Sequence, residues 1–267
     1  MKSFKKTFRR IEKKYILNDA QYRAFREYLS TFAAEDEYGL TNIRNIYYDT
    51  PDYRLIRASL DHPVYKEKLR LRTYGRTDSR TNAFVEIKKK YDHVVYKRRI
   101  DMPYKDAAMF LDRRMAVHSA SLDSQIGQEL AYFLQFYKDL VPRMVITYDR
   151  IALAGIDDPD FRVTFDTNIR YRTDDLDLRI DRPGIRILPE GMHLMELKIA
   201  GAVPADLARK MSELRIFGTS FSKYGTAYLD MMETMREKES SAALRLPTPE
   251  TRRRPAASEA GRAVAMA

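Results

Sequence analysis

From Lys66 to Arg72 the chain reads Lys-Glu-Lys-Leu-Arg-Leu-Arg, with cations at 66, 68, 70 and 72 and Leu69 and Leu71 between them. Side chains on a strand alternate faces, so four cations share one side while the leucines point to the other. The pattern recurs along the chain. Lys88 and Lys90 share a face with Glu86, opposite Val85 and Ile87; Lys97 goes with Arg99, and Glu12 and Lys14 with Arg10. Sparser versions pair Tyr148 with Arg150, Arg162 with Thr164 and Asp166, and Glu196 with Lys198. A single strand of this kind reads as the wet face of an antiparallel sheet. Repetition changes the reading, because like charges two apart or directly across strands repel. A sheet closed into a barrel, with helices packed outside against the apolar faces, gathers these cations in its lumen.

A lumen crowded with lysine and arginine is unstable when empty, since desolvated like charges repel and lose hydration. It therefore calls for a polyanionic ligand. Phosphate oxygens suit it: arginine offers a planar fork and lysine a mobile point charge. The acids in the same register, Glu12, Glu86 and Glu196, are metal ligands or charge balancers, with an ordinary ion pair the preferred reading for Glu86.

Composition narrows the classes. The 267 residues carry a net charge of +10, 44% hydrophobic residues and no cysteine. Such a hydrophobic share builds a core, and zero cysteines exclude a disulfide scaffold, a thiol nucleophile, an iron-sulfur cluster and thiolate zinc. No stretch approaches the roughly 18 apolar residues of a membrane-spanning helix, and the basic start MKSFKKTFRRIEKKY has no apolar segment after it, so a cytoplasmic location is expected. Beyond residue 238 the composition shifts to SSAALRLPTPETRRRPAASEAGRAVAMA, giving one domain over 1–238 and a disordered basic tail over 239–267.

The expected class is α+β, an antiparallel barrel with external helices. A strand over 7–17 leads through an Asn18-Asp19 cap into a helix, and strands follow at 43–50, 64–75, 82–92 and 93–102. Helices over 105–114 and 123–138, three more strands (PRMVITYDRIALAG, DFRVTFDTNIRYRT, GMHLMELKI), a helix opened by Pro204 and a last helix over 226–238 complete the order.

Eight segments, RRIEKKY, KLRLRTYG, FVEIKKK, VVYKRRI, ITYDRIAL, FRVTFDT, HLMELKI and FSKYGTAY, occur in the order and spacing of the VTC-type polyphosphate polymerase domain. The chain resembles that family from about residue 5 to 232, and the family is similar to the triphosphate tunnel metalloenzymes, whose barrel encloses a basic, metal-containing tunnel. The resemblance implies an ATP-dependent polymerase that moves the γ-phosphate of ATP onto a growing polyphosphate chain and releases ADP. It implies catalytic roles for Arg70, Arg72, Lys88, Lys97, Arg150 and Arg162, and substrate binding by Lys14, Tyr148, Lys198 and Lys223, the last near the tunnel mouth. Glu196 and, as a second ligand, Glu12 would hold manganese or magnesium. The partners implied are ATP and polyphosphate and no nucleic acid, with a membrane partner and the oligomeric state left open.

His62, His93, His118 and His193 lack ligand spacing and read as surface or structural. The tunnel proteins usually begin with ExExK, whereas this strand reads Arg10, Glu12, Lys14. Losing the first acid weakens, without removing, an alternative reading as a metal-dependent triphosphatase with water replacing the acceptor chain. A third reading makes the basic strands a binding surface for RNA or another polyanion, with Tyr74, Tyr91 and Tyr96 as stacking platforms.

Overall fold

The computed structural model describes residues 10–61, 63–92, 94–112, 121–158 and 160–243. His62, His93, His118 and residues 244–267 of the tail expected over 239–267 lie outside them, while 239–243 continue the last helix. Among the described residues ten strands and six helices follow in the order β1 (Arg10–Asn18), α1 (Asp19–Leu29), β2 (Ala33–Glu35), β3 (Thr41–Asp49), α2 (Arg54–Leu60), β4 (Tyr65–Tyr74), β5 (Asn82–Tyr91), β6 (Val94–Pro103), α3 (Tyr104–Leu111), α4 (Gln125–Phe136), β7 (Val141–Gly155), β8 (Arg162–Arg172), β9 (Ile185–Arg186), β10 (Met192–Ala200), α5 (Ala205–Glu213) and α6 (Lys223–Ala243). The chain divides into two units at Leu229/Asp230, within α6. Everything below concerns the first.

Local chemistry sets the boundaries. Asn18 forms a capping box with Gln21, each side chain bonding the other's backbone, so β1 turns straight into α1. Pro204, with φ −53°, opens α5. The hairpin between β5 and β6 turns at Asp92, whose φ is +40°.

One antiparallel sheet runs in the order β1-β10-β8-β7-β3-β4-β5-β6, with β2 added to β7 and β9 to β8. Its ends, β1 and β6, do not pair among the described residues, so the wall is a curled sheet and not a fully hydrogen-bonded barrel. The curl still brings β1 against β5: Lys88 Nζ lies 3.6 Å from Glu12 Oε2. The α+β class and the external helices are as the alternation implied.

Two apolar clusters line the outer face. One joins Leu69, Leu71, Val85, Ile87 and Ile100 to Ala107 and Leu111 of α3 and to Leu130, Phe133 and Leu134 of α4. The other joins Leu17, Val163, Phe165 and Leu197 to Phe25 and Leu29 of α1 and to Leu207 and Met211 of α5. Leu71→Ala is therefore expected to lower unfolding free energy by about 2–5 kcal/mol. Lys90→Ala, on the other face of the neighbouring strand, should change it by no more than about 0.5 kcal/mol. Urea denaturation compares them, and equal effects would contradict the assignment of faces. No helix among the described residues is long and apolar enough to cross a membrane.

Candidate active site

The inner face is polar because the period of two holds across paired strands. Arg70 stands opposite Glu86 and Tyr47, Arg72 opposite Asn45, and Lys88 opposite Lys68 and Lys97. On the other side of the lumen Lys14 faces Glu196, Glu12 faces Lys198, and Arg150 faces Asp166.

Two carboxylate centres organise these cations. Glu86, 1% exposed, takes Arg70 Nε at 2.7 Å, Lys97 Nζ at 2.6 Å and Arg72 Nε at 3.9 Å. Burial alone would push its carboxyl up; Arg70, Arg72 and Lys97 together pull it down to about 2. Arg72 is fixed further by donating to Asn45 Oδ1 at 2.8 Å and to the Tyr148 hydroxyl at 3.0 Å. Arg70 donates to the Tyr47 hydroxyl at 3.3 Å, and Tyr47 stacks on Tyr224 with centroids 4.5 Å apart. Glu86 is thus the expected ion pair, enlarged to three cations.

The second centre joins β7, β8, β10 and the start of α6. Arg150 donates to both oxygens of the buried Asp166, at 2.6 and 2.8 Å, and its Nη2 lies 3.6 Å from Glu196 Oε2. Lys223 Nζ sits between Asp166 Oδ2 (2.5 Å) and Glu196 Oε1 (3.2 Å), and over the Tyr148 ring at 4.6 Å. Burial would lower Lys223, but Asp166 and Glu196 carry it above its ordinary value. Around Glu196 the burial penalty is likewise overcome by Lys223, Lys14, Arg150 and Lys198, which hold the carboxyl well below the usual range. Lys223 is therefore deep and doubly paired, where a place near the mouth was expected.

Toward solvent the pairing thins. Lys14 Nζ stands 3.7 Å from Glu196 and 3.9 Å from Glu12, and donates to the Phe221 carbonyl at 2.8 Å. Lys88 and Lys97 keep 43% and 42% of their side-chain surface exposed. Lys198 reaches Glu196 only at 4.0 Å, and Arg162, its register partner on β8, is exposed. Lys68 donates to Ser222 Oγ at 3.1 Å; burial, reinforced by Lys14, Lys66, Lys88 and Arg70, lowers it to about 7.

All twelve residues singled out in the sequence thus lie on the inner face, in these two centres or along the rim between them. Asp166, Asn45, Tyr47 and Lys68 join them unassigned. Spacing puts Asp166 on the face of Arg162 and Lys68 on the face of Arg70, without a role for either; Asn45 and Tyr47 lie in a strand where no such pattern of charge marks the face. Tyr74, Tyr91 and Tyr96 are exposed.

Among the described residues no group of three or more histidine or carboxylate side chains is arranged to hold a metal ion. Both oxygens of Asp166 are taken by Arg150 and Lys223, so the donor set available is Glu196 with Glu12, linked through Lys14. Such a set fits a hard divalent ion that takes one or two carboxylates and completes its shell with phosphate oxygens and water.

The VTC domain model matches residues 9–232. The chain belongs to the VTC domain family. The expected fold also recurs among solved structures: a candidate adenylyl cyclase from Hippeastrum, described as having a dominant triphosphatase activity, superposes with a TM-score of 0.51 at 13% identity, covering 83% of this chain and 96% of that one. A candidate adenylate cyclase from Bacillus halodurans gives a TM-score of 0.48 at 13% identity, over 79% and 92% of the two chains. No curated protein matches the chain in sequence. What this VTC domain shares with the Hippeastrum structure is the fold, a curled antiparallel sheet of the triphosphate-tunnel type.

Proposed function

We infer that this VTC domain is an ATP-dependent polyphosphate polymerase. The observation that carries the reading is the gradient of cations along the inner face, from Arg72, Arg150 and Lys223 at depth to Lys88, Lys97 and Arg162 at the rim. A single triphosphate would be met by the deep group alone. A run of cations reaching solvent suits a chain that extends as it grows.

Phosphoryl transfer asks the protein for position and charge neutralisation more than for a covalent nucleophile. Arg70 and Arg72, held by Glu86, Tyr47, Asn45 and Tyr148, present fixed guanidinium forks to the donor phosphates. Arg150 and Lys223, held by Asp166 and Glu196, add a guanidinium and an ammonium charge from the opposite wall. The terminal oxygen of the acceptor chain, lying along Lys14, Lys68, Lys88 and Lys198, attacks the γ-phosphorus in line; the bond to the β,γ-bridging oxygen breaks, and ADP leaves with that oxygen. Glu196 and Glu12 would hold a manganese or magnesium ion, which when bound adds neutralisation of the phosphate oxygens. The basic interior supports ATP and polyphosphate as the partners.

Arg70→Ala and Arg72→Ala are each expected to weaken polyphosphate binding and to lower ATP turnover by about tenfold or more, since each removes a charge-assisted contact to phosphate. Unchanged binding in both, read by calorimetry, would contradict the placement of the chain. The described relative with triphosphatase activity motivates a second reading, in which water replaces the acceptor, and the products distinguish the two.

Lys68 gives the proposal a pH signature. Its folded pKa, near 7, lies below the unfolded value, so it is largely neutral at pH 8 in the empty protein. A bound polyanion favours the charged form, so binding at pH 8 takes up protons and affinity falls as pH rises through 7 to 10. Calorimetry in buffers of differing ionisation enthalpy should show smaller uptake in Lys68→Met than in wild type. Equal uptake would remove Lys68 from the chain's path.

A further inference from the structure

The outer wall of the sheet carries a second basic feature. On β8, Arg162, Thr164 and Asp166 face the lumen, and continued alternation would send Arg170 there too. Instead Asn168 adopts a left-handed backbone, φ +49°, and the register with β7 slips between Thr147 and Asp149. A bulge of this kind reverses the alternation. Arg170 therefore pairs in register with Thr147, on the face away from Tyr148. The bulge also aims it: Arg170 Nε donates to Asn168 Oδ1 at 2.7 Å, its Nη1 donates to the Gly184 carbonyl at 3.0 Å, and Asn168 Nδ2 donates to Asp149 at 3.2 Å.

The two-residue strand β9 sets Arg186 directly opposite Arg170. Like charges on one rung weaken a pairing that has little else to hold it. Two glycines permit the approach. A Cβ on Gly184 would lie 2.1 Å from the Tyr171 carbonyl oxygen, and one on Gly191, at φ +75°, would lie 3.1 Å from Asp19 Oδ2.

The segment between them borders a cavity of about 570 Å³, whose wall includes Arg170, Arg186, Asn168, Asp19 and His193. The acids nearby leave the arginines largely uncompensated. Asp19 Oδ1 is engaged by His193 Nε2 at 2.7 Å, and Glu190, 91% exposed, reaches Arg186 only at 3.6 Å. The His193 ring stacks on Tyr22 at 3.9 Å, and its buried Nδ1 has no hydrogen-bond partner among the described residues.

We propose that this cavity is a second anion site, in which Arg170 and Arg186 hold the phosphate group of a small phosphorylated molecule outside the lumen. A phosphate between the two guanidinium groups turns their repulsion into charge-assisted contacts matched to its oxygens. The volume falls in the range of small-molecule sites and exceeds what a bare phosphate fills.

The test is the imidazole ¹H–¹⁵N spectrum of the full chain, with the His193 resonance assigned by its loss in His193→Gln. Glucose 6-phosphate and inorganic phosphate are titrated separately. A saturable His193 shift is expected, with a midpoint raised about tenfold or more in Arg186→Gln while ATP turnover and the thermal transition stay at wild-type values. Arg170→Lys, which keeps the charge and loses the fork, should also weaken the response and serves if Arg186→Gln fails to fold. Saturation at lower concentration by glucose 6-phosphate supports the phosphomonoester. Tighter binding of inorganic phosphate overturns that part of the proposal. No His193 shift with either probe, or an unaltered midpoint in a folded variant, overturns the site itself.

Discussion

Glu196→Gln is expected to lower ATP turnover by about a hundredfold or more while polyphosphate binds as tightly as to wild type, or more tightly. The substitution keeps volume and removes one negative charge from the point where Lys14, Arg150, Lys198 and Lys223 converge. A chain held by cations loses nothing when a carboxylate among them is neutralised. The reacting phosphate loses one of the two carboxylates that would hold a divalent ion, and Arg150 and Lys223 lose one of the two acids that fix them, so kcat should fall while the dissociation constant does not rise. Steady-state kinetics with parallel calorimetry separates the two. Wild-type turnover in Glu196→Gln would remove the residue from the reaction, and a large loss of binding would show that it only holds the lumen together.

Glu86→Gln should cost the empty protein about 3.5 kcal/mol of stability, because the three cations draw the carboxyl from 4.5 to about 2 and a tenfold change in proton affinity is worth about 1.4 kcal/mol. Without it, Arg70, Arg72 and Lys97 crowd a buried site with no counter-charge. The sign with pH follows: since the folded pKa is depressed, this stability is present above about 4.5 and drains away as pH falls toward 2, so the variant's acid limb should be flatter than that of wild type. A polyanion supplies the missing charge. Tripolyphosphate at about a hundred times its dissociation constant should restore about 2.7 kcal/mol, most of the loss. Denaturation with and without tripolyphosphate reads both effects, and a variant as stable as wild type when empty would contradict the role of Glu86 as counter-ion to the three cations.

The inner face was legible in the sequence because its signal is periodic. Lys66 to Arg72 and Glu86 to Lys90 each repeat the same parity over several residues, and the apolar partners Leu69, Leu71, Val85 and Ile87 all lie in the outer cluster. Two of the eight segments that carry the resemblance to the VTC domain, KLRLRTYG and FVEIKKK, come from these same strands. What escaped was either too short or broken in phase. β2 and β9, three and two residues long, carry no period at all. The bulge at Asn168 turns Arg170 outward although its spacing from Asp166 says inward. The depth of Lys223 depends on where α6 begins relative to β8 and β10, a long-range relation that local pattern does not contain. Asp166 was visible on the face of Arg162, but its partnership with Arg150 needs the pairing of β7 with β8.

The measurement that bears most directly on the central claim is a product balance. The purified protein is incubated with ATP and manganese, and ADP, free phosphate and long-chain polyphosphate are followed together. The polymerase reading requires ADP to rise in step with phosphate incorporated into polymer, with little free phosphate. ADP matched by free phosphate, with no polymer formed, would contradict it and make the tunnel that of a phosphatase.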